Sequence, residues 1–354
     1  MIKVLALALY GPLAASNRYR IGQYVPGLSK LGIELQICHL LDDDYLRARF
    51  SGDQLPIKSM VKKGLERLKR LWSSGDFDVI ILQCELIPLM PGWLECALIR
   101  KPYVYDFDDA FYLKYRTGRL RFLSPLLSGK FDVVMAGAFA VTAGNRVLLD
   151  YAKKHNPNSE YLPTVVDTSR YLPEMDSRGT DTFTIGWIGS PSTAPYLVEL
   201  VEPLAKLGQE GPVRLIVIGG KAPEIPNIEV VEIDWSEHTE IELINSFDVG
   251  VMPLPNDDWT RGKCAFKLVQ YMACAVPVIA SPVGANIDVV NTDCGLFAET
   301  PHQWKDAFSL LRDDPTIRAN MGAAGRERVT LHYSLQNNLP ILANVIASVV
   351  KALN

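Results

Sequence analysis

The sequence lacks several features that would each assign it to a well-known class. No apolar run reaches about 18 residues, which argues against a membrane-spanning helix. None of the six cysteines stands in a C-x-x-C pair, and no cysteine–histidine cluster has zinc-ligand spacing. The five histidines are far apart and suggest neither a metal site nor a catalytic triad. A net charge of −4 argues against a general nucleic-acid binder.

What is present fits a globular protein of about two domains. The 354 residues are 48% hydrophobic, which is enough apolar material for two cores. The charge is unevenly distributed. Residues 1–168 hold 22 Lys/Arg and 17 Asp/Glu, whereas the remainder holds 14 and 23. This asymmetry suggests that the first half faces something anionic.

Short apolar runs alternate with amphipathic stretches along both halves. In the first half, the predicted strands include Val4–Leu9, Glu34–Leu40, Val79–Gln83, Tyr103–Phe107, Val133–Ala136 and Val141–Ala143. The segment Pro173–Asp181 interrupts the alternation, and a new strand begins at Phe183. Such alternation predicts doubly wound parallel sheets. We therefore expect an α/β protein with Rossmann-like domains at 1–172 and 182–338 facing across a cleft, and a C-terminal helix at 339–354 returning to the first domain.

A group of cations precedes a predicted helix in the second half. Arg261, Lys263 and Lys267 lie around the helix start, and the two lysines are spaced to share one helix face. A helix N-terminus favours anions, so cations there suggest a shared anion such as a diphosphate. A solvated helix start is the alternative.

A strand and a small-residue loop follow this helix. Gly284 and Ala285 come directly after the predicted strand Val276–Ala280. Such small residues let backbone amides approach a ligand closely, although a tight strand–helix turn would need them equally.

These segments resemble a known family in matching order. The run from Phe266 to Gly284 resembles the donor-nucleotide region of retaining GT-B glycosyltransferases, specifically the bacterial group 1 or RfaB-like family. The segments Ala14–Arg20, Val104–Ala110 and Thr142–Asn145 resemble landmarks of a surface-glycan subgroup. The resemblance implies a nucleotide-sugar donor in the second domain, a glycan or lipid-linked acceptor in the first, and no metal or other cofactor.

The chain departs from the family at its donor site. Relatives carry two glutamates around the helix, where this chain has Gly262 and Gln270. Gln270 can still accept a hydrogen bond from a ribose hydroxyl through its amide oxygen. Relatives also place an Arg and a Lys after the strand that ends near Gly189, where Ser190 and Ser192 stand instead. We therefore expect Arg261, Lys263 and Lys267 to supply the diphosphate cations, with both serines as donors.

The first domain offers candidates on two loops. Asp108 aligns with a family histidine that faces the reacting sugar, so it is the candidate for hydrogen bonding to the sugar or taking the acceptor proton. Asp106 and Asp108 also form a D-x-D pair, which in metal-dependent glycosyltransferases of another fold binds a divalent ion on the diphosphate. Helix capping is a further alternative for these residues. After the first strand, Ser16, Arg18 and Arg20 are candidates for the acceptor or the donor phosphates.

Residues 57–72 form a basic helix in the sequence pattern. Such a cationic face attracts anionic lipid, so we expect a cytoplasmic protein with peripheral contact with the inner membrane face; a plain solvated helix is the alternative.

Three alternative functions make different demands on the sequence. A nucleotide-sugar epimerase of the same fold needs catalytic carboxylates and a histidine near the donor, and the second half has few suitable residues. Replacement of both family glutamates favours a catalytically silent binding or scaffold subunit. A nicotinamide dehydrogenase predicts G-x-G-x-x-G after the first strand, which the segment Gly11–Ser16 does not contain.

Overall fold

The computed structural model describes residues 1–174 and 182–353. Contacts divide the chain into two compact units. Unit 1 consists of Met1–Val165, Gly262–Cys264 and Leu335–Asn354, and unit 2 consists of Val166–Arg261 and Ala265–Ser334. The segment Pro173–Asp181, which interrupts the alternation and is the predicted linker between the domains, lies mostly outside the described residues.

Unit 1 is built on a parallel sheet in the order β2-β1-β3-β4-β5-β6. Its strands are β1 (Ile2–Tyr10), β2 (Ile33–Leu41), β3 (Val79–Gln83), β4 (Tyr103–Phe107), β5 (Ala140–Ala143) and β6 (Ser159–Tyr161). Val4–Leu9 of β1 are all buried, as expected for a central strand covered on both faces.

Helices connect these strands. They are α1 (Ala15–Arg20), α2 (Val25–Lys30), α3 (Asp43–Ser51), α4 (Ile57–Trp72), α5 (Gly92–Leu98), α6 (Ser124–Leu127), α7 (Lys130–Gly137) and α8 (Arg146–Lys153). Right-handed crossovers place α4, α5 and α7 on the same face of the sheet, because all three connections run in the same direction across it.

Two predictions about these elements are wrong. Val133–Ala136 is not a strand but part of α7, where Phe131, Val134 and Met135 are buried at helical spacing. The spacing of Met60, Leu65, Leu68 and Leu71 predicts that all four form the apolar face of α4, but Leu65 is 63% exposed.

Unit 2 has a second parallel sheet in the order β12-β11-β10-β7-β8-β9. Its strands are β7 (Phe183–Ile188), β8 (Val213–Ile218), β9 (Glu229–Ile233), β10 (Val249–Met252), β11 (Val278–Ala280) and β12 (Gly295–Phe297). Its helices are α9 (Val201–Gly208), α10 (Glu240–Asn245), α11 (Asp258–Arg261), α12 (Phe266–Ala273), α13 (Ala285–Val289), α14 (Pro301–Asp313) and α15 (Pro315–His332). The two parallel sheets with surrounding helices confirm the predicted α/β class.

The last helix, α16 (Leu335–Leu353), belongs to unit 1 and packs on α2, β3 and β4. Its buried residues Leu342, Ile346 and Val349 recur at helical spacing. Among the described residues, no helix is both long and apolar enough to cross a membrane.

Candidate functional site

The carboxyl end of β4 places Asp106 inside unit 1. Its carboxylate accepts hydrogen bonds from the guanidinium of Arg20 and, at 2.6 Å, from the hydroxyl of Thr142. Arg20 also donates to the carbonyl of Leu162 and its side chain is 1% exposed. The structure therefore places Arg20 in a buried ion pair and not at the loop surface, where the sequence predicted it. The same contacts weaken the D-x-D alternative, because the carboxylate that would bind the divalent ion already accepts hydrogen bonds from Arg20 and Thr142.

Asp108 lies beyond the end of the strand and is partly exposed. Burial of the carboxyl among protein atoms, together with the neighbouring Asp109 carboxylate, raises the pKa of Asp108 to about 7. The thiol of Cys264 donates a hydrogen bond to the backbone carbonyl of Asp108, at 2.9 Å. This carboxyl can change its protonation state near neutral pH, as a general base requires.

The loop after β1 holds the other candidates of unit 1. Ser16 is half-buried in the first turn of α1, and its carbonyl accepts a 2.9 Å hydrogen bond from the side chain of Gln83. Arg18 donates to the carbonyls of Pro12 at 2.9 Å and Leu13 at 2.7 Å. Ser16 and Arg18 both lie just after the end of β1. The hydrogen bonds of the Arg18 guanidinium stabilise the loop that precedes α1.

The tripeptide Gly262–Cys264 packs within unit 1. The amide of Asn145 donates to the carbonyls of Gly262 at 2.9 Å and Lys263 at 3.0 Å. A Cβ on Gly262 would lie 2.5 Å from the Cβ of Ala110. This close approach explains why a glutamate does not fit at Gly262.

Lys263 does not occupy the position that the sequence predicted. The helix α12 begins at Phe266, after Ala265 with a φ of 53°, so Lys263 lies outside the helix and shares no face with Lys267. Its ammonium group lies 3.4 Å from a carboxylate oxygen of Asp109 and its side chain is 15% exposed. This pairing places the Lys263 ammonium group beside Asp109, the residue that follows Asp108 in the chain.

In unit 2, Lys267 reaches the carboxyl end of β7. Its ammonium group lies 5.3 Å from the centre of the Trp187 ring. A Cβ on Gly189 would lie 2.8 Å from the Cε of Lys267, so the glycine makes room for the lysine stem. The hydroxyls of Ser190 and Ser192 are 2.8 Å apart in the loop that follows. The structure therefore brings together a lysine and two hydroxyls at a strand end, where ligands bind in parallel sheets.

Gly284 and Arg261 also meet in unit 2. Gly284 has a φ of 53°, and a Cβ there would lie 2.5 Å from the carbonyl oxygen of Arg261. The Arg261 guanidinium is half-exposed and binds Asn256 at 2.8 Å and Asp258 at 3.3 Å. Ala285 is the first residue of α13. Only glycine suits this turn, because φ is positive and the space is filled.

A pocket of about 300 Å³ opens beside this turn, at the carboxyl ends of β10 and β11. The hydroxyl of Ser281 accepts a 3.0 Å hydrogen bond from the amide of Leu254, which ties the two strand exits together. Pro282 supplies an apolar wall, whereas Glu199 and Glu299 place two carboxylates in the lining. The pocket therefore has both apolar and acidic walls at this edge of the sheet.

Gln270 lies in a buried polar chain that sequence reasoning did not find. Its amide donates to the hydroxyl of Tyr171 at 2.8 Å. That hydroxyl donates to Glu240 at 2.8 Å, and the indole of Trp235 donates to the other oxygen of Glu240 at 2.8 Å. A Cβ on Gly219, after β8, would lie 3.0 Å from the Cβ of Trp235. These residues are far apart in the sequence, so no local pattern connects them.

Comparison with known proteins relates part of this chain to glycosyltransferases. Residues 182–314 match the family model described as "Glycosyl transferases group 1". The GDP-mannose-dependent monoacylated alpha-(1-6)-phosphatidylinositol monomannoside mannosyltransferase of Corynebacterium glutamicum is 25% identical over 224 residues. The aligned region covers 54% of this chain and 57% of that enzyme, so the chain spans less than two thirds of this relative.

Solved structures resemble the whole chain. Sucrose-phosphate synthase from Thermosynechococcus elongatus has a TM-score of 0.70 at 14% identity, with 99% of this chain and 100% of that chain covered. Alr3699/HepE from Anabaena, in complex with UDP and glucose, has a TM-score of 0.71 at 12% identity, with 98% and 100% covered. The likeness shows the two-domain GT-B fold. The family match relates residues 182–314 to group 1 glycosyltransferases, and the likeness in fold extends over the whole chain.

Proposed function

We propose that the protein is a metal-independent, retaining glycosyltransferase. It moves a hexose-type sugar from a nucleotide-sugar donor to a glycan or lipid-linked acceptor in surface polysaccharide biosynthesis, such as that of lipopolysaccharide. The main support is Lys267, which lies at the end of β7 over Trp187 inside the region that matches the family model.

The donor diphosphate binds, in this proposal, at the exit of β7. Lys267 neutralises charge that develops on the diphosphate as the glycosidic bond breaks, which stabilises the transition state. Ser190 and Ser192 donate hydrogen bonds to phosphate oxygens, and Arg261 adds a second cation near Gly284. Gln270 orients the ribose through the polar chain that contains Tyr171.

The acceptor binds beside Asp108. With its pKa near the operating pH, this carboxyl accepts the proton of the acceptor hydroxyl or binds a hydroxyl of the sugar. Lys263 pairs with Asp109, the residue that follows Asp108 in the chain. Ser16 and Arg18 line the neighbouring loop. Retention of configuration rests on the family resemblance.

Metal independence is supported by the surroundings of Asp106. In the D-x-D alternative, this carboxylate would bind a divalent ion on the diphosphate. Its oxygens instead accept hydrogen bonds from Arg20 and Thr142 inside the sheet. The cations named above supply the positive charge that a metal would otherwise provide.

The proposed membrane contact uses α4, residues 57–72. Lys58, Lys62 and Lys69 are exposed on this helix. A stripe of apolar side chains is exposed beside them, and the exposed fractions are 59% for Val61 and 63% for Leu65. Cations beside exposed apolar side chains are typical of helices that lie in a lipid interface.

A second candidate is a binding subunit of the same fold without catalysis. The observations that favour it are the tight packing of Gly262 and the burial of Gln270, since neither position supplies the carboxylate of the relatives.

The first experiment measures the melting temperature with a panel of nucleotides and nucleotide sugars, with and without a chelator. Ligands that bind the native state raise the melting temperature by mass action. A chelator-resistant shift from one nucleoside diphosphate is expected. No shift with any nucleotide would contradict the proposal, and a shift lost with chelator would restore the D-x-D alternative. Slow hydrolysis of the stabilising nucleotide sugar separates an enzyme from a silent binding subunit.

A further inference from the structure

Asn145 is a buried asparagine to which the proposed reaction assigns no role. It lies two residues after β5 and is 1% exposed. Its side-chain oxygen accepts a 2.7 Å hydrogen bond from the backbone amide of Leu148, which caps α8. Its side-chain nitrogen donates to the carbonyls of Gly262 at 2.9 Å and Lys263 at 3.0 Å. A helix cap needs only the oxygen, so the two bonds of the nitrogen require a separate explanation.

The sheet of unit 1 fixes the position of Asn145 beside the end of β4. Strands β4 and β5 are parallel neighbours, with Phe107 opposite Ala143. The backbone amide of Gly144 donates to the carbonyl of Phe107 at 3.0 Å, so the pairing continues beyond the last residue of β5. Asn145 therefore follows the point at which β5 meets the start of the segment that carries Asp108.

The tripeptide Gly262–Cys264 lies along that segment, Asp108–Ala110. Each residue of the tripeptide approaches one residue of the segment, and the pairs run in opposite chain directions. The pairs are Cys264 with Asp108, Lys263 with Asp109, and Gly262 with Ala110. A Cβ on Gly144 would lie 2.5 Å from the Sγ of Cys264 and 3.2 Å from the Cα of Asp108, so little space separates the tripeptide from the end of β5. The backbone of Asp108 is thus enclosed by the tripeptide and by the residue before Asn145.

We propose that Asn145 is a positioning residue for Asp108. It holds the tripeptide Gly262–Cys264 through two backbone carbonyls, and the tripeptide in turn holds the backbone that carries the Asp108 carboxyl. This inference rests on the proposed function, in which that carboxyl binds the sugar or accepts the acceptor proton. A base must lie within hydrogen-bond reach of its proton, so a small displacement slows the reaction strongly.

One substitution separates this role from the capping of α8. Asn145→Ser keeps a side-chain oxygen at the N-cap, where serine is about as favourable as asparagine. The serine hydroxyl is shorter and has a single hydrogen, so it cannot donate to both carbonyls. If Asn145 only caps the helix, the serine variant should behave like the wild type in every measurement below.

A second buried asparagine provides the matched control, Asn156→Ser. The nitrogen of Asn156 also donates to two backbone carbonyls, those of Met135 at 2.9 Å and Ala138 at 2.7 Å. Its oxygen accepts from the amide of Asn158 at 2.9 Å. These partners immediately precede β5 and β6, at the opposite edge of the sheet from Asp108. The control therefore loses the same kind of bonds within the same unit.

The first measurement is the rate at which N-ethylmaleimide labels Cys264 in the full-length protein, located by mass spectrometry. Burial of the thiol, together with the Asp108 carboxyl, raises the pKa of Cys264, so the thiol should react slowly while the tripeptide is in place. In Asn145→Ser this labelling should be about tenfold faster, because the lost hydrogen bonds oppose local opening. The buried Cys274 and Cys294 of unit 2 are internal references. Labelling of Cys264 that is unchanged, or equally fast in Asn156→Ser, would overturn the proposal.

The second measurement is hydrolysis of the nucleotide sugar that raises the melting temperature, with water in place of the acceptor hydroxyl. Asn145→Ser should hydrolyse it about tenfold more slowly and bind the nucleoside diphosphate as the wild type does, because only the reacting step is affected. Unchanged hydrolysis, or an equal loss in Asn156→Ser, would overturn the positioning role. Absence of nucleotide binding by the wild type contradicts the proposed function instead, whereas the labelling rates test the hold of Asn145 on the tripeptide independently.

Discussion

The side-chain amide of Gln270 donates a 2.8 Å hydrogen bond to the phenolic oxygen of Tyr171. Gln270 is 4% exposed and Tyr171 is 2% exposed, so this contact lies in the interior of unit 2. It joins α12 to the segment that precedes β7. A residue that the sequence predicted as a ribose ligand is therefore first of all part of the buried polar chain.

Tyr171→Phe should destabilise the protein. The substitution leaves the amide of Gln270 and an oxygen of Glu240 without this partner, which costs about 1–3 kcal/mol for buried groups. Urea unfolding measures the loss. The matched control is Tyr24→Phe, because the hydroxyl of Tyr24 is buried without a hydrogen-bond partner among the described residues. Equal losses in both variants would show that the Gln270 contact contributes nothing.

Lys267→Met should weaken binding of a nucleoside diphosphate by about tenfold to a hundredfold, the worth of a charge-assisted hydrogen bond. Binding of the corresponding nucleoside should change little, because it carries no phosphate. Titration calorimetry with both ligands checks this. Lys206→Met is the control, since Lys206 pairs with Glu202 on the exposed side of α9. Equal losses for nucleoside and diphosphate would remove Lys267 from the phosphate site.

Asp108→Asn tests whether the Asp108 carboxyl acts as the base that accepts the acceptor proton. If this carboxyl is the base, the turnover of the wild type should rise with pH through about 7, where the pKa of Asp108 lies. The variant should lose that rise and most of its turnover, whereas its affinity for the nucleotide stays unchanged. An unaltered pH profile would leave Asp108 with a structural role.

The same variant should alter the pH dependence of stability. Between about pH 4 and pH 7 the native state keeps a proton on Asp108 that the unfolded chain has released. The stability contribution of this group therefore falls as pH rises through that window. The melting temperature of Asp108→Asn should rise relative to the wild type from pH 4 to pH 8, and Asp150→Asn, on the exposed side of α8, should show no such trend.

Arg20→Met should act on stability. It leaves the Asp106 carboxylate buried without its cation, which costs about 3–5 kcal/mol. Arg214→Met is the control, because Arg214 pairs with Glu229 at the surface, where such pairs contribute about 1 kcal/mol or less. Denaturant unfolding separates the two. A stable Arg20→Met protein that has lost nucleotide binding would return Arg20 to the ligand site.

Replacing Lys58, Lys62 and Lys69 with glutamine should weaken binding to phosphatidylglycerol vesicles by about a hundredfold, given about 1 kcal/mol per cation near the lipid surface. Cosedimentation measures the affinity. The control replaces Lys153, Lys154 and Lys351, which are exposed elsewhere in unit 1. If both triple variants bind alike, α4 has no specific role at the membrane.

Sequence patterns predicted most strands correctly. They failed where a strand and a short buried helix segment have the same continuous apolar pattern. Val4–Leu9 and Phe183–Ile188 are buried strands as predicted, because a short apolar run between turn residues suits a parallel sheet. Val133–Ala136 is equally apolar but belongs to α7. A short buried helix segment has no periodicity that separates it from a strand. Asp42 caps α3 by accepting a hydrogen bond from the backbone amide of Tyr45.

The candidate site was predicted less completely than the fold. The sequence placed Ser190 and Asp108 just after strands and Lys267 at the start of a helix, and the structure has them there. Only the structure shows that the Lys267 side chain reaches the end of β7. It could not show that Arg20 is buried against Asp106, since 86 residues separate the two. Nor could it connect Gln270 with Tyr171.

The sequence by itself determined the α/β class, the strand ends that carry polar residues and the charged face of α4, because these depend on local periodicity and spacing. Only the tertiary structure decided which polar groups are available to a ligand. It placed the cation of Arg20 in the interior, moved Lys263 beside Asp109 and left Lys267 at the edge of the sheet. The physical reason is that burial and ion pairing depend on contacts between segments that are distant in the sequence. The packing of the sheets determines those contacts.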